Sequence, residues 1–398
     1  MNLRRLVPAV IAALSLGSLL SPAAHAAKPA AGPLTPVIAS MIPQRQVVAV
    51  RGSDGRFHVL YELMLTNSVG APATLGPVRI LDAANGRTVR RLSVKEMLST
   101  GALHQLDRQD SETSKLPAGS SRLLTLDVSF ASRAAVPRRL THRFQVATQN
   151  PLTSQAQRFT YDAGRVPVSR RIPPAYAPPL EGTGWVASDG CCSPSGHVNA
   201  ILGLNGRLQA AERFAIDWMR IDAAGRMFQG DPANPASWFS YGSPIKAVSD
   251  GVVTYARDGE PDQTPGRMPT NLTWDQLVGN AVYVRTSDGL TQAFVHLSPG
   301  SVRVKAGDRV QTGMVLGLLG NSGASLAPHL HFHVVDGRRP ATSDGFPYTI
   351  TSFSLAGQAN VNQLLAGIKG EASFPSRDQL NPVAHDDELP LGFSVVDF

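Results

Sequence analysis

Apolar and polar residues alternate in short runs along most of the chain, with glycine, asparagine, aspartate or proline between the runs. A two-residue period puts one set of side chains on a buried face and the other in solvent, as in a β-strand. In the first part of the chain the clearest runs are 47–50, 57–65, 78–81, 122–128 and 139–146. Ser53-Asp54-Gly55 and Ala84-Asn85-Gly86 supply turns. No helical period of comparable length interrupts this series, so residues 27–165 are expected to form a β-sandwich-like domain. His58, His104 and His142 are scattered through it and are expected to be surface or internally satisfied histidines.

Residues 166–182 are rich in proline, carry no apolar period, and read as an extended linker. Strand patterns then resume at 198–202, 214–219, 245–248, 251–255, 281–285, 292–297, 313–319 and 329–335. Turn residues separate them as in an antiparallel sheet, which predicts a second, mostly β domain over 183–345. Asn205-Gly206 is a hairpin turn signal, and pairing 198–202 with 214–219 about it would set His197 opposite Asp217. A polar stretch from Arg257 to Gly279 contains Pro261, Pro265, Pro269 and Trp274, and is either a functional loop or a surface excursion. The C-terminal extension, 346–398, shows a short helix near 361–367 and otherwise reads as a tail.

The ends and the charge refine this picture. Arg4 and Arg5 precede an apolar run from Val7 to about Leu20, and Ala24-His25-Ala26 fits a signal-peptidase site. The run is broken by Pro8, Ser15, Gly17 and Ser18 and is shorter than the ~20 residues a bilayer core requires. Residues 1–26 are therefore expected to be a removable export signal, and the mature chain to have no membrane span. It is expected to work in the periplasm or outside the cell. Net charge is +7, falling to +5 without Arg4 and Arg5, and the basic residues are dispersed. That argues against a nucleic-acid binder and is compatible with an anionic cell wall. The only cysteines, Cys191 and Cys192, are adjacent, so either both thiols are free or they form a vicinal bridge. Two adjacent thiolates cannot supply a tetrahedral metal shell.

Chemistry concentrates in the second domain. Five of the nine histidines after Ala26 fall between His197 and His333. In Pro328-His329-Leu330-His331-Phe332-His333 the three imidazoles share one face of a strand, while Leu330 and Phe332 face packing. Imidazoles two residues apart are a familiar metal-ligand spacing, suited to an ion such as Zn²⁺.

Gly320-Asn321-Ser322-Gly323-Ala324-Ser325 followed by Pro328-His329-Leu330-His331-Phe332 resembles the signature of the M23 (lysostaphin- and LytM-like) peptidases. Phe294-Val295-His296-Leu297 is similar to that family's aromatic-x-His-Leu strand. Gly307 to Gly313 and Ile245 to Val253 are similar to its glycine-flanked turn and its hairpin. The resemblance covers about 184–336 and implies one zinc ion per chain and a peptidoglycan peptide as substrate. It further implies His331 and Asp217 as zinc ligands, with His296 and His329 as catalytic residues.

One position departs from the family. Its first ligand is a histidine four residues before the aspartate, and here Arg213 stands there, which cannot be deprotonated to ligate. His197 is expected to take its place as the third metal ligand. Arg213, on the same strand face as Asp217, is expected to pair with a substrate carboxylate or with Asp217. His333 is expected to support the ligands or to serve as a spare. The enzyme reading is thus a zinc-dependent endopeptidase in which a water attacks the peptide bond. The loss at position 213 keeps open a non-catalytic domain that binds peptidoglycan or regulates an amidase. The loop after Arg257 is then expected to line the substrate groove, with Trp274 as an apolar contact. A regulatory partner is not identifiable from the sequence.

Overall fold

Most of the predicted alternating runs are strands in the computed structural model, which describes residues 34–42, 46–150, 153–371, 374–375 and 381–398. Residues 1–26, read as an export signal, lie outside the described residues. The protein is mostly β. In the first half, β1 (Val37–Met41), β2 (Phe57–Asn67) and β3 (Ser121–Phe130) lie side by side in antiparallel order. A second sheet is built on β4 (Arg139–Gln149) and β5 (Ala156–Ser169). Tyr61, Leu63, Leu126, Leu140, Phe144 and Val166 from the two sheets share one apolar core.

β5 runs to Ser169, into the stretch read as linker, and Val168 and Ser169 pair in parallel with Val47 and Val48. Gly164 and Pro167 had masked it, because both are poor strand formers. The rest of that stretch is not free either, since Ala175 and Tyr176 pair with Thr349 and Ile350.

The second half is organised around one long sheet. Its central strands are, in spatial order, β6 (Trp185–Ser188), β7 (Ile216–Arg220), β11 (Leu330–Val335), β10 (Thr291–Leu297), β9 (Asn280–Arg285) and β8 (Gly251–Arg257). The chain after Phe346 was expected to be a tail. It instead supplies β12 (Thr349–Gln358) and β13 (Ser394–Asp397), which extend this sheet beyond β6. Their serines, threonines and glycine hide the apolar period. The predicted helix is present as Val361–Lys369, with Asn360 capping its start.

Strand β2 faces both halves. Tyr61, Leu63 and Leu65 point into the first core, while Leu60 packs with Phe214, Trp218 and Phe346 in the second. Glu62 lies on that second face and is fully buried. It is held by Arg213, whose Nε and Nη2 donate to its two carboxylate oxygens at 2.8 and 2.7 Å. Arg213 is itself 3% exposed and its Nη1 also donates to the Gly345 carbonyl at 3.3 Å. Parallel two-point bonding satisfies both charges where water is excluded.

The three histidines of the first half are buried and satisfied. His58 contacts Asp127 and Asp54, His104 contacts the Gln105 carbonyl and Thr125, and neither lies at the surface. His142 donates from Nδ1 to the Gly164 carbonyl at 2.7 Å, so its Nε2 accepts from the Tyr61 hydroxyl at 2.7 Å.

Two outcomes follow from this packing. Glu62→Ala strands a buried guanidinium and should destabilise the protein by about 3–5 kcal/mol, whereas Glu62→Leu combined with Arg213→Met should recover most of that loss. Denaturant unfolding of the three chains checks it, and a double variant no better than Glu62→Ala would contradict it. For His142, burial lowers the pKa to about 4. Its contribution is complete above the unfolded value of ~6.5 and is lost as pH falls from there towards about 4, by about 3 kcal/mol in all. Unfolding measured at neutral and mildly acid pH should show a shallower pH dependence for His142→Gln than for the native chain. Equal dependence would remove His142 from the account.

Candidate metal centre

The site grows from the pairing of three central strands. Asp217 on β7 is the direct register partner of His331 on β11, and His331 is the partner of Val295 on β10. Paired residues share a face, so Asp217 and His331 meet side by side. Leu330, Phe332 and Val334 take the opposite face and are fully buried in the core. His329, immediately before β11, lies on the histidine side.

His296 reaches the same place by breaking the strand pattern. Asn280 pairs with Leu297 and Ala281 with Val295, which leaves His296 as the extra residue of a β-bulge. Its φ of 67° is left-handed, a conformation that costs a non-glycine residue about 1 kcal/mol or more. Alternation alone would send it away from His331. The bulge turns it back, and its Nδ1 donates to the Ser322 carbonyl at 2.7 Å, leaving Nε2 facing the other imidazoles.

His197 arrives by a route other than the expected hairpin. Asn205-Gly206 does make a hairpin, but only Leu202–Leu204 and Arg207–Gln209 pair across it. β7 instead pairs with β6 and β11, and His197 sits in a turn before the small hairpin. Its Nε2 nevertheless lies 3.4 Å from Asp217 Oδ2. The loop is tied to the first half of the chain: Asn199 Nδ2 donates to the Gly101 carbonyl at 3.2 Å and Thr125 Oγ1 donates to Asn199 Oδ1 at 2.9 Å. Ile201 packs with Ile42 and Leu123. Cys191 and Cys192, earlier in the same loop, are joined as a buried vicinal disulfide.

Arg213 is corrected outright. It lies in the turn before β7, not on the strand, and its guanidinium is committed to Glu62. It is unavailable to Asp217 or to a substrate. Only a long-range partner on β2 reveals this, and no local pattern carries that signal.

The donors converge tightly. His331 Nδ1 lies 2.9 Å, and His329 Nε2 3.3 Å, from Asp217 Oδ1. One ligand atom each from His197, Asp217 and His331 fall within 4.8 Å of one another, as do those of His296, His329 and His331. Burial would push the Asp217 carboxyl up, but His197 and His329 beside it and hydrogen bonds from His329 and His331 hold it well below the usual carboxylate range. Burial pulls His197 down, and Asp217, Glu212 and Asp189 more than reverse this. His296 is held well below the usual imidazole value by burial and by its histidine neighbours.

This donor set fits a cation. His329 Nδ1 faces the Ala327 carbonyl at 2.8 Å and so carries the hydrogen, which turns the Nε2 lone pair towards a carboxylate. Two acceptors face each other there and need a proton or a metal between them. His333 joins from behind: its Nδ1 lies 2.8 Å from His331 Nε2, the contact by which a neighbouring group fixes a ligand's ring. It is not in either converging group.

The segment 320–327 supplies the carbonyls that orient His296 and His329, and the long loop after β8 braces it. Asn321 N donates to Asp262 Oδ1 at 2.7 Å, Asn321 Nδ2 donates to the Gln263 carbonyl at 2.7 Å, and Ala324 N donates to the Leu277 carbonyl at 2.8 Å. Sequence reasoning named the loop but missed three supports, Asn199, Ser322 and Ser325, the last with its Oγ 3.2 Å from His329 Nδ1. Ser322 and Ser325 lay inside the recognised motif, whereas Asn199 had only its nearness to His197 to mark it.

Residues 238–342 match Peptidase family M23. That match begins after Asp217 and His197. Among curated relatives, the glycyl-glycine endopeptidase ALE-1 of Staphylococcus capitis is 34% identical over 97 residues, 24% of this chain and 22% of that protein. The peptidoglycan DD-endopeptidase ShyC of Vibrio cholerae is 34% identical over 91 residues, 23% of this chain and 17% of its own. The chain thus spans about a fifth of the length of these relatives. The lysostaphin catalytic domain of Staphylococcus simulans aligns at 23% identity over 42% of this chain and 88% of that one, with a TM-score of 0.23, too low to bear on the fold. By its sequence match, the chain carries a Peptidase family M23 domain at residues 238–342.

Proposed function

We propose that this protein is an exported zinc-dependent endopeptidase that hydrolyses peptide bonds in peptidoglycan stem peptides or cross-bridges. The observation that carries this is the convergence of His197, Asp217 and His331 on one point, beside His296 and His329. Three protein donors, one fewer than a structural zinc site fills, is the composition of a catalytic zinc site. The substrate class follows from the M23 domain and from what its relatives cleave.

In this reading His197, Asp217 and His331 hold the ion. A bound zinc ion would supply Lewis acidity to the scissile carbonyl and would acidify a water molecule. His296, with Nδ1 anchored on the Ser322 carbonyl, presents Nε2 as a proton acceptor. His329, anchored on the Ala327 carbonyl, directs Nε2 to the same space and can stabilise charge on the carbonyl oxygen or pass a proton to the leaving amine. His333 keeps the His331 ring in place. The non-catalytic alternative rested on Arg213, and it weakens once His197 stands beside Asp217 and Arg213 has a separate partner.

Metal analysis of the purified protein, with the products released from purified sacculi, tests the proposal. About one zinc per chain and new peptide ends are expected; wall binding without zinc or cleavage would favour the alternative. His331→Ala and Asp217→Ala should each lose zinc and hydrolysis while remaining folded, because two donors are too few to retain the ion. Full zinc occupancy in either variant refutes the ligand assignment. His296→Ala and His329→Ala should keep zinc and lose turnover on the order of 10²-fold or more. Zinc loss in His329→Ala would instead exchange the roles of His329 and His331.

A further inference from the structure

On the face of the sheet that carries the histidines, one row of paired residues crosses four strands. His333 pairs with Ala293, Ala293 with Tyr283, and Tyr283 with Tyr255. At ~4.8 Å per strand the row places Tyr255 roughly 14 Å from His333. Val278 packs beside the row, with Ala281, Ala293 and Val295. Val278 also lines a cavity together with Tyr255, Tyr283, Trp274, Arg309, Arg338 and Arg339.

Three features of this cavity need an explanation. Tyr255 and Tyr283 stack at 4.7 Å between ring centroids, forming a flat apolar shelf. Trp274 is 56% exposed, a large apolar surface left in water. Arg309, Arg338 and Arg339 have no side-chain hydrogen bond or ion pair among the described residues. The acidic residues at the rim are already engaged: Asp250 accepts from Thr312 N and Oγ1, and Asp275 accepts from Thr273 Oγ1 and lies 3.5 Å from Arg257. Unpaired guanidiniums around an aromatic floor suit an anionic group attached to an apolar or amide-bearing chain.

We infer that this cavity is a secondary binding site for a carboxylate of the wall peptide, about four residues along the chain from the bond placed at the histidines. An extended peptide covers ~3.3–3.6 Å per residue, so four residues span the roughly 14 Å of the row. The peptide backbone lies across Val278 onto the tyrosine shelf, Trp274 closes over it, and a free carboxylate meets Arg309 and Arg339. Naming a wall peptide as occupant rests on the peptidase reading. The cavity's preference for a free carboxylate stands on its own charge and shape.

The test uses the full chain and a purified cross-linked muropeptide dimer, either with its carboxylates free or after their conversion to amides. Binding is followed by calorimetry, with the catalytic His296→Ala variant used to prevent turnover. The free-acid dimer should bind about tenfold more tightly than the amidated one, and Arg309→Gln combined with Arg339→Gln should abolish that preference. Trp274→Ala should weaken both forms alike. Zinc content should be unchanged in the double arginine variant and in Trp274→Ala, since neither touches the converging donors. Equal binding of the two dimers, or a preference that survives the arginine substitutions, overturns the proposal. If the native chain cleaves the dimer but shows no carboxylate preference, the secondary site fails and the peptidase reading stands. If the carboxylate preference is present but the native chain does not cleave, the secondary site stands and the peptidase reading fails.

Discussion

A carboxylate placed on a central strand between imidazoles governs the architecture of this molecule. Asp217 is largely shielded from water, and nothing apolar around it can compensate its charge. The structure surrounds it with His197, His329 and His331; His197 and His329 beside it and hydrogen bonds from His329 and His331 hold it ionised. His329, His331 and His296 are then fixed through their other ring nitrogen. His329 leans on the Ala327 carbonyl, His331 on His333, and His296 is turned inward by a bulge and anchored on the Ser322 carbonyl. A polar cluster this dense is destabilising unless its members are satisfied, and a cation would satisfy the donors that face one another.

The same constraint explains how the chain accommodates arginine at position 213. An arginine beside Asp217 would neutralise it and compete with the imidazoles for its carboxylate. Here the turn before β7 carries the guanidinium away to Glu62, a residue on a strand buried on both faces. The vacated position beside Asp217 goes to His197, on a loop held by Gly101, Thr125 and the Ile42–Leu123 cluster. Both adjustments depend on the first half of the chain. In this protein that half therefore helps to build the histidine cluster as well as flanking it.

Legibility in the sequence tracked the range of the interactions. The alternating strands β2, β3, β4, β10 and β11 were plain because alternation is local. The three-histidine strand and its glycine-serine segment identified the chemistry, because their spacing fixes which side chains share a face. β5, β12 and β13 were missed, since glycine, proline, serine and threonine dilute their period while pairing with distant strands sustains them. Proximity of His197 to Asp217 was anticipated through a hairpin that does not form, and a loop achieves it instead. The Arg213–Glu62 pair joins residues 151 positions apart, and only the folded chain brings them together.

The central claim is that a zinc shell is completed by a histidine from outside the recognised motif. X-ray absorption at the zinc edge of the purified full-length protein measures this most directly, because it counts imidazole ligands at the ion. Two imidazoles and one carboxylate are expected in the native chain, and one imidazole fewer, or no zinc, in His197→Ala. A His197→Ala spectrum identical to the native one, at full zinc occupancy, would contradict the account.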